Sequence, residues 1–162
     1  TLFVDGNHEN HIRLQKLPIM EMFGGKVGAV SDYVYHLRRG EIYTIHGRTF
    51  FCFGGAFSHD RKWRSLNKTY WEEEIPSSQE MEYANQNLEK YNCKVDYILA
   101  HTVPDDLIPM VGLSRDEVDP TRRFLNFVVS KVQFERYFCG HLHMDKDLSK
   151  YSILWDRVIQ IF

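Results

Sequence analysis

The sequence predicts an α/β fold, a layered sandwich with mixed sheets. Short apolar strands alternate with helices early and late in the chain, and a hairpin pattern lies between them. In addition, three apolar runs each lead into a turn that carries histidine: Asn7-His8, His101, and His141 with His143. Ligands of open α/β sheets bind at the carboxyl ends of strands, so three such ends are able to converge on one crevice.

Each element has its own signal. Leu2 to Val4 reads as a short apolar strand that runs into the glycine-containing loop Asp5 to His8. Glu9 to Leu17 reads as a helix stopped by Pro18. Glu41–Ile45 and Arg48–Phe53 are β-rich runs, and His46-Gly47 between them has the length of a two-residue hairpin loop. Gly54-Gly55 ends the second run. Residues 56–76 lack periodicity and read as a long functional loop or a broken helix. Ser77 to Tyr91 is a helix: Ser77 and Glu80 have capping-box spacing, and Met81, Ala84, Leu88 and Tyr91 share a side.

Val95 to Ala100 is a continuous apolar strand with His101 at its end. Residues 103–120 hold three prolines and read as mostly loop. Thr121 to Val132 is a helix, and Phe134 to Cys139 is a strand that delivers Gly140-His141-Leu142-His143. Tyr151–Trp155 and Val158–Phe162 read as two final strands joined by Asp156-Arg157. No repeat, linker or low-complexity segment interrupts residues 1–162, which read as a single domain.

Composition narrows the functional classes. A chain of 162 residues, 43% hydrophobic and 26% charged, is ample for one core. A net charge of −2 gives no electrostatic case for nucleic acid or an acidic membrane. No stretch is long and apolar enough to span a bilayer, and no signal peptide is visible. Three scattered cysteines (Cys52, Cys93 and Cys139) without CxxC pairing read as reduced thiols of a cytoplasmic protein. Because Thr1 to Val4 already reads as buried strand, the expectation is that further strands precede it.

The chemistry resides in the histidine segments. Imidazole with an amide or carboxylate oxygen suits Mn, Fe, Zn or Ni. Singly, a histidine at a strand end is usually a hydrogen-bonded surface residue, and an HxH pair is a weak signal. All three segments in this order, each after an apolar strand, form a specific pattern. His11, His36 and His46 have no such context and read as structural or exposed.

Gly6-Asn7-His8-Glu9, His101 and Gly140-His141-Leu142-His143 resemble the last three motifs of the calcineurin-like metallophosphoesterases. That family's motifs run D-x-H, G-D-x-x-D, G-N-H-D/E, H and G-H-x-H. The resemblance covers essentially the whole chain; residues 53–58 and 71–74 also resemble a small bacterial and phage-like branch. It implies an α-β-β-α sandwich, of which this chain is the C-terminal two-thirds, with the D-x-H and G-D units (roughly 60 residues at about 30 per strand-loop unit) before Thr1.

The resemblance also implies roles. Asn7, His101 and His141 would bind one metal and His143 a second, so the complete domain would hold two divalent ions, and this chain alone one or none. Two ions about 3.5–4 Å apart would neutralise a phosphate ester and supply a bridging hydroxide for in-line attack. His8 would not be a ligand but would protonate the leaving oxygen. Glu9 would meet the positive end of the following helix.

Substrate selection is assigned to residues 58–64, where Lys62 or Arg64 could meet a phosphate and Trp63 or Trp71 could stack on a base. Asp60 could instead pair with Arg64 and make both structural. Arg122-Arg123 read as surface charge. The expected function is therefore metal-dependent hydrolysis of a phosphate ester. The alternative is a binding module that kept the fold and lost the site, although such a scaffold has no use for His8. A structural zinc site is disfavoured because the pattern lacks cysteine ligands.

Overall fold

The structure is a computed structural model and describes residues 1–114 and 118–161. Two sheets face each other. The larger takes the order β5-β6-β7-β8-β10-β9, from β5 (Ile42–Ile45), β6 (Arg48–Phe53), β7 (Tyr97–Ala100), β8 (Arg136–Cys139), β9 (Lys146–Leu148) and β10 (Tyr151–Ile153). Its central strands β6, β7, β8 and β10 are mutually parallel, and the antiparallel hairpin partners β5 and β9 form its edges. The carboxyl ends of four strands therefore emerge at one rim.

Alternation along these strands explains their unbroken apolar runs. Phe50, Cys52, Tyr97 and Phe138 face the smaller sheet, whereas Phe51, Phe53, Ile98, Tyr137 and Cys139 face the helices. The helical layer is α2 (Ser78–Lys90) with Ala84 and Leu88, and α3 (Pro120–Lys131) with Phe124, Leu125 and Val128. The capping box on α2 forms as expected from Ser77 and Glu80. Tyr91 is the C-cap residue of α2 and is exposed. Asp119 caps α3 by accepting from the Thr121 and Arg122 amides. In the β5–β6 hairpin His46 and Gly47 have φ of 50° and 76°, the geometry of a primed two-residue turn.

The smaller sheet takes the order β1-β4-β3-β2, from β1 (Leu2–Phe3), β2 (Ile19–Met22), β3 (Gly25–Ser31) and β4 (Val34–Leu37). Val27 and Leu37 enter the core between the sheets. The neighbouring Gly28 faces the other way. A Cβ there would meet Leu17, just past α1 (His11–Gln15), at 3.1 Å. Mixed sheets with helices form the α/β sandwich that was expected.

Several expectations need correction. The first helix covers His11–Gln15 rather than Glu9–Leu17, because Asn10 is its N-cap. Glu9 consequently lies before the helix, and its carboxylate accepts the Gly6 amide instead of meeting the helix dipole. Residues 158–161 are not a strand; the partner of β10 is β9. Arg157 is held by both oxygens of Asp147 at 2.7 Å, and the chain then runs on with Ile159 and Ile161 against the inter-sheet core but without a ladder. Phe162 lies outside the described residues.

Candidate metal centre and its surroundings

The loop after β1 brings Asn7 to the rim of the larger sheet, beside the residues that follow β6, β7 and β8. His101, at the end of β7, is central to the arrangement. Its Nε2 is 3.0 Å from Asn7 Oδ1 and 3.2 Å from His141 Nδ1. Gly6 allows this approach: a Cβ there would lie 3.0 Å from the His101 ring. His141 and His143 both adopt the left-handed region, with φ of 66° and 50°. Such backbone is uncommon for residues other than glycine and clusters at functional sites. The two rings have different neighbours. His141 meets His101, while His143 leans on Trp155 with ring centroids 4.1 Å apart.

A buried relay sets the orientation of Asn7. The Ser58 hydroxyl donates to Glu74 Oε2 at 2.9 Å, so its oxygen is left to accept from Asn7 Nδ2, also at 2.9 Å. The amide oxygen of Asn7 is thereby turned toward His101. Glu74 is fully buried and is neutralised by Arg61 at 2.7 Å. A second buried cluster anchors the same loop. Asp5 accepts from Arg39 at 2.6 and 2.9 Å and from His36 at 2.9 Å, and its carbonyl accepts the Gly55 amide. Burial would raise the Asp5 carboxyl, but the Arg39 charge and the His36 bond outweigh it and hold the group well below the usual carboxylate range.

Burial favours the neutral form of His101 and His141. Burial pushes His101 down to about 4, and burial with the adjacent His101 pushes His141 down to about 3. Neutral rings present lone pairs, which metal ligation requires. Two ligands bound at about 2.0–2.2 Å to one ion stand roughly 3–3.5 Å apart, and the separations around His101 lie in that range. Among the described residues, no three His, Cys, Asp or Glu side chains form a metal-holding group. The group around His101 has only two imidazoles, and its third donor is the Asn7 amide oxygen. These are the donor types that divalent ions of the imidazole-binding kind take.

These residues line a cleft of about 520 Å³. Asn7, His8, His101, His141 and His143 line it together with His59, Asp60 and Arg122. Leu113, Leu142 and Trp155 add apolar surface. His8 is exposed, and its Nδ1 accepts from Arg64 at 2.8 Å. Arg64 also reaches the other ring nitrogen, Nε2, at 3.5 Å, and Asn7 Nδ2 lies 3.4 Å from it. Arg64 also pairs with Asp60 at 2.7 Å, the pairing considered from sequence. Lys62 is exposed over Trp63 and is not among the cleft residues.

Trp71 is buried, only 6% exposed, and unable to stack on a ligand, contrary to expectation. Arg122 is likewise not surface charge: it is 4% exposed and held by Asp105 and Asp119. Arg123 is exposed, as expected. His11 and His36 are buried structural residues and His46 is exposed in its turn. The three thiols are free. Sequence reasoning missed Ser58 and Glu74, the Asp5–Arg39–His36 cluster, and Trp155.

The cleft thus gathers imidazoles, a carboxamide and an exposed histidine at the carboxyl ends of parallel strands. The chain belongs to the calcineurin-like phosphoesterases: the model of that family matches residues 1–145. No curated protein and no solved structure gave a match. The family is one of metal-dependent phosphoester hydrolases that bind divalent metals. Among the described residues, no helix is long and apolar enough to cross a membrane.

Proposed function

We propose that this chain carries the His8 side of a phosphoesterase centre, with Asn7, His101 and His141 holding one divalent ion and His143 contributing to a second. The observation that carries the reading is that Asn7 Oδ1 and His141 Nδ1 both lie within 3.2 Å of His101 Nε2. Bound metal supplies charge neutralisation of the phosphate and a water acidified toward neutral pH. The chain's own groups do the rest. Arg64 holds the His8 ring in place, and a ring proton of His8 is given to the departing oxygen as negative charge develops there. Arg64, which reaches His8, offers positive charge to the remaining phosphate oxygens. His143, held against Trp155, is assigned to a neighbouring ion rather than to the one at His101.

The test is hydrolysis of p-nitrophenyl phosphate and its bis ester with added Mn, Fe or Zn. It is run on this chain and on the chain extended at its N-terminus with D-x-H and G-D segments. Turnover is expected in the extended form, with this chain alone inactive or nearly so. No turnover in either form with any of these metals would refute the hydrolase reading.

A further inference from the structure

We propose that the cleft selects phosphate esters whose leaving group is a planar aromatic ring, with Trp155 as the surface on which that ring stacks. This rests on the phosphoesterase reading for its phosphate end and on separate observations for its aromatic end. Four parallel strands deliver their carboxyl ends to one rim. Those of β7 and β8 bear His101, His141 and His143, and that of β10 bears Trp155.

Trp155 combines two properties that seldom occur together. It is 57% exposed, yet it is firmly held. Its amide donates to Asp145 Oδ1 at 2.8 Å, the Asp156 amide donates to the other oxygen of Asp145, and Arg157 faces the same carboxylate at 3.5 Å. One residue earlier, the Leu154 amide is tied to the Cys139 carbonyl at 2.8 Å. The indole rests on His143 and shares the cleft with Leu113 and Leu142. A large aromatic surface held at the edge of a concave site is costly to leave in water and loses little entropy on binding, which is the signature of a ligand anchor. The other two tryptophans do not compete. Trp71 is buried, and Trp63 lies outside the cleft. The cleft thus joins a polar imidazole region to an apolar one, as an ester with a charged head and a flat apolar leaving group requires.

The experiment measures binding, so it does not depend on turnover. Phenylphosphonate and methylphosphonate, neither hydrolysable, are titrated calorimetrically into the whole chain with MnCl₂. A parallel arm compares adenosine 5′-monophosphate with ribose 5-phosphate. Phenylphosphonate is expected to bind tighter than methylphosphonate. Trp155→Ala should weaken it about 5- to 150-fold while methylphosphonate changes little, and Trp155→Phe should restore most of the difference. Preference in the phenyl pair alone identifies simple aryl esters, and preference in both pairs extends the class to nucleotides; either result supports the proposal. Equal affinity within both pairs, a preference that survives Trp155→Ala, or no binding of any of the four compounds overturns it. Selective binding without turnover in the extended chain would remove the hydrolase reading and leave the aromatic subsite standing.

Discussion

Replacing Asp5 by Asn should cost this protein more stability than most single substitutions. The carboxylate is 1% exposed and accepts three hydrogen bonds, two from Arg39 and one from His36. Asn retains one acceptor and loses the charge. Arg39, itself 8% exposed, would keep carbonyl contacts, His11 Nδ1 at 3.4 Å and Glu80 at 3.4 Å. Removing one partner of a buried ion pair costs about 3–5 kcal/mol, and the partial compensation by Glu80 places the loss near the lower end, about 3 kcal/mol. At about 2–4 °C per kcal/mol for a chain of this size, Tm should fall by about 6–12 °C. Urea titration followed by circular dichroism gives the difference directly. Adding Arg39→Met should recover part of it, because the uncompensated guanidinium is then gone. A loss below about 1 kcal/mol would show that the cluster does not anchor the loop as described.

Four further outcomes are expected. Stability supplied by Asp5 is complete above its unfolded value near 3.8 and lost as pH falls below it, since the unfolded chain takes up the proton first; the gap in urea midpoint between wild type and Asp5→Asn should therefore narrow between pH 7 and 3. Gly54→Ala places a Cβ 2.1 Å from Asp5 Oδ1 and 2.6 Å from the Asp5 carbonyl oxygen, so melting should show a loss of about 2–3 kcal/mol or more; a neutral substitution would contradict this packing. His141→Ala should lower bound metal measured by elemental analysis, and unchanged stoichiometry would remove His141 from the ligand set. In the N-terminally extended chain, His8→Ala should reduce kcat by about 10²-fold or more with metal content intact, whereas metal loss would speak against proton donation.

Local signals identified the elements wherever one segment carried all the information. The Ser77/Glu80 capping box, the His46-Gly47 turn and the apolar runs at β6, β7 and β8 each follow from residues a few positions apart. The segment from Ile19 to Leu37 was harder to read. Its three short strands alternate weakly, contain Gly25 and Gly28, and leave Ile19, Met20 and Val30 exposed. The final strand failed for a related reason. Ile159 and Ile161 alternate as a strand does, but alternation reports a buried face and not the presence of a hydrogen-bonding neighbour.

The sequence by itself determined which side chains are candidates for metal binding and proton donation, because such chemistry resides in residue types and short motifs: Asn7-His8, His101, His141 and His143. Tertiary structure alone decided what surrounds them. Ser58 reaches Asn7 across 51 positions, Arg39 reaches Asp5 across 34, and Trp155 meets His143 only because β10 pairs with β8. Burial belongs to the same category. Arg122 and Trp71 look like exposed groups in the chain, and only the packing around them takes them out of water.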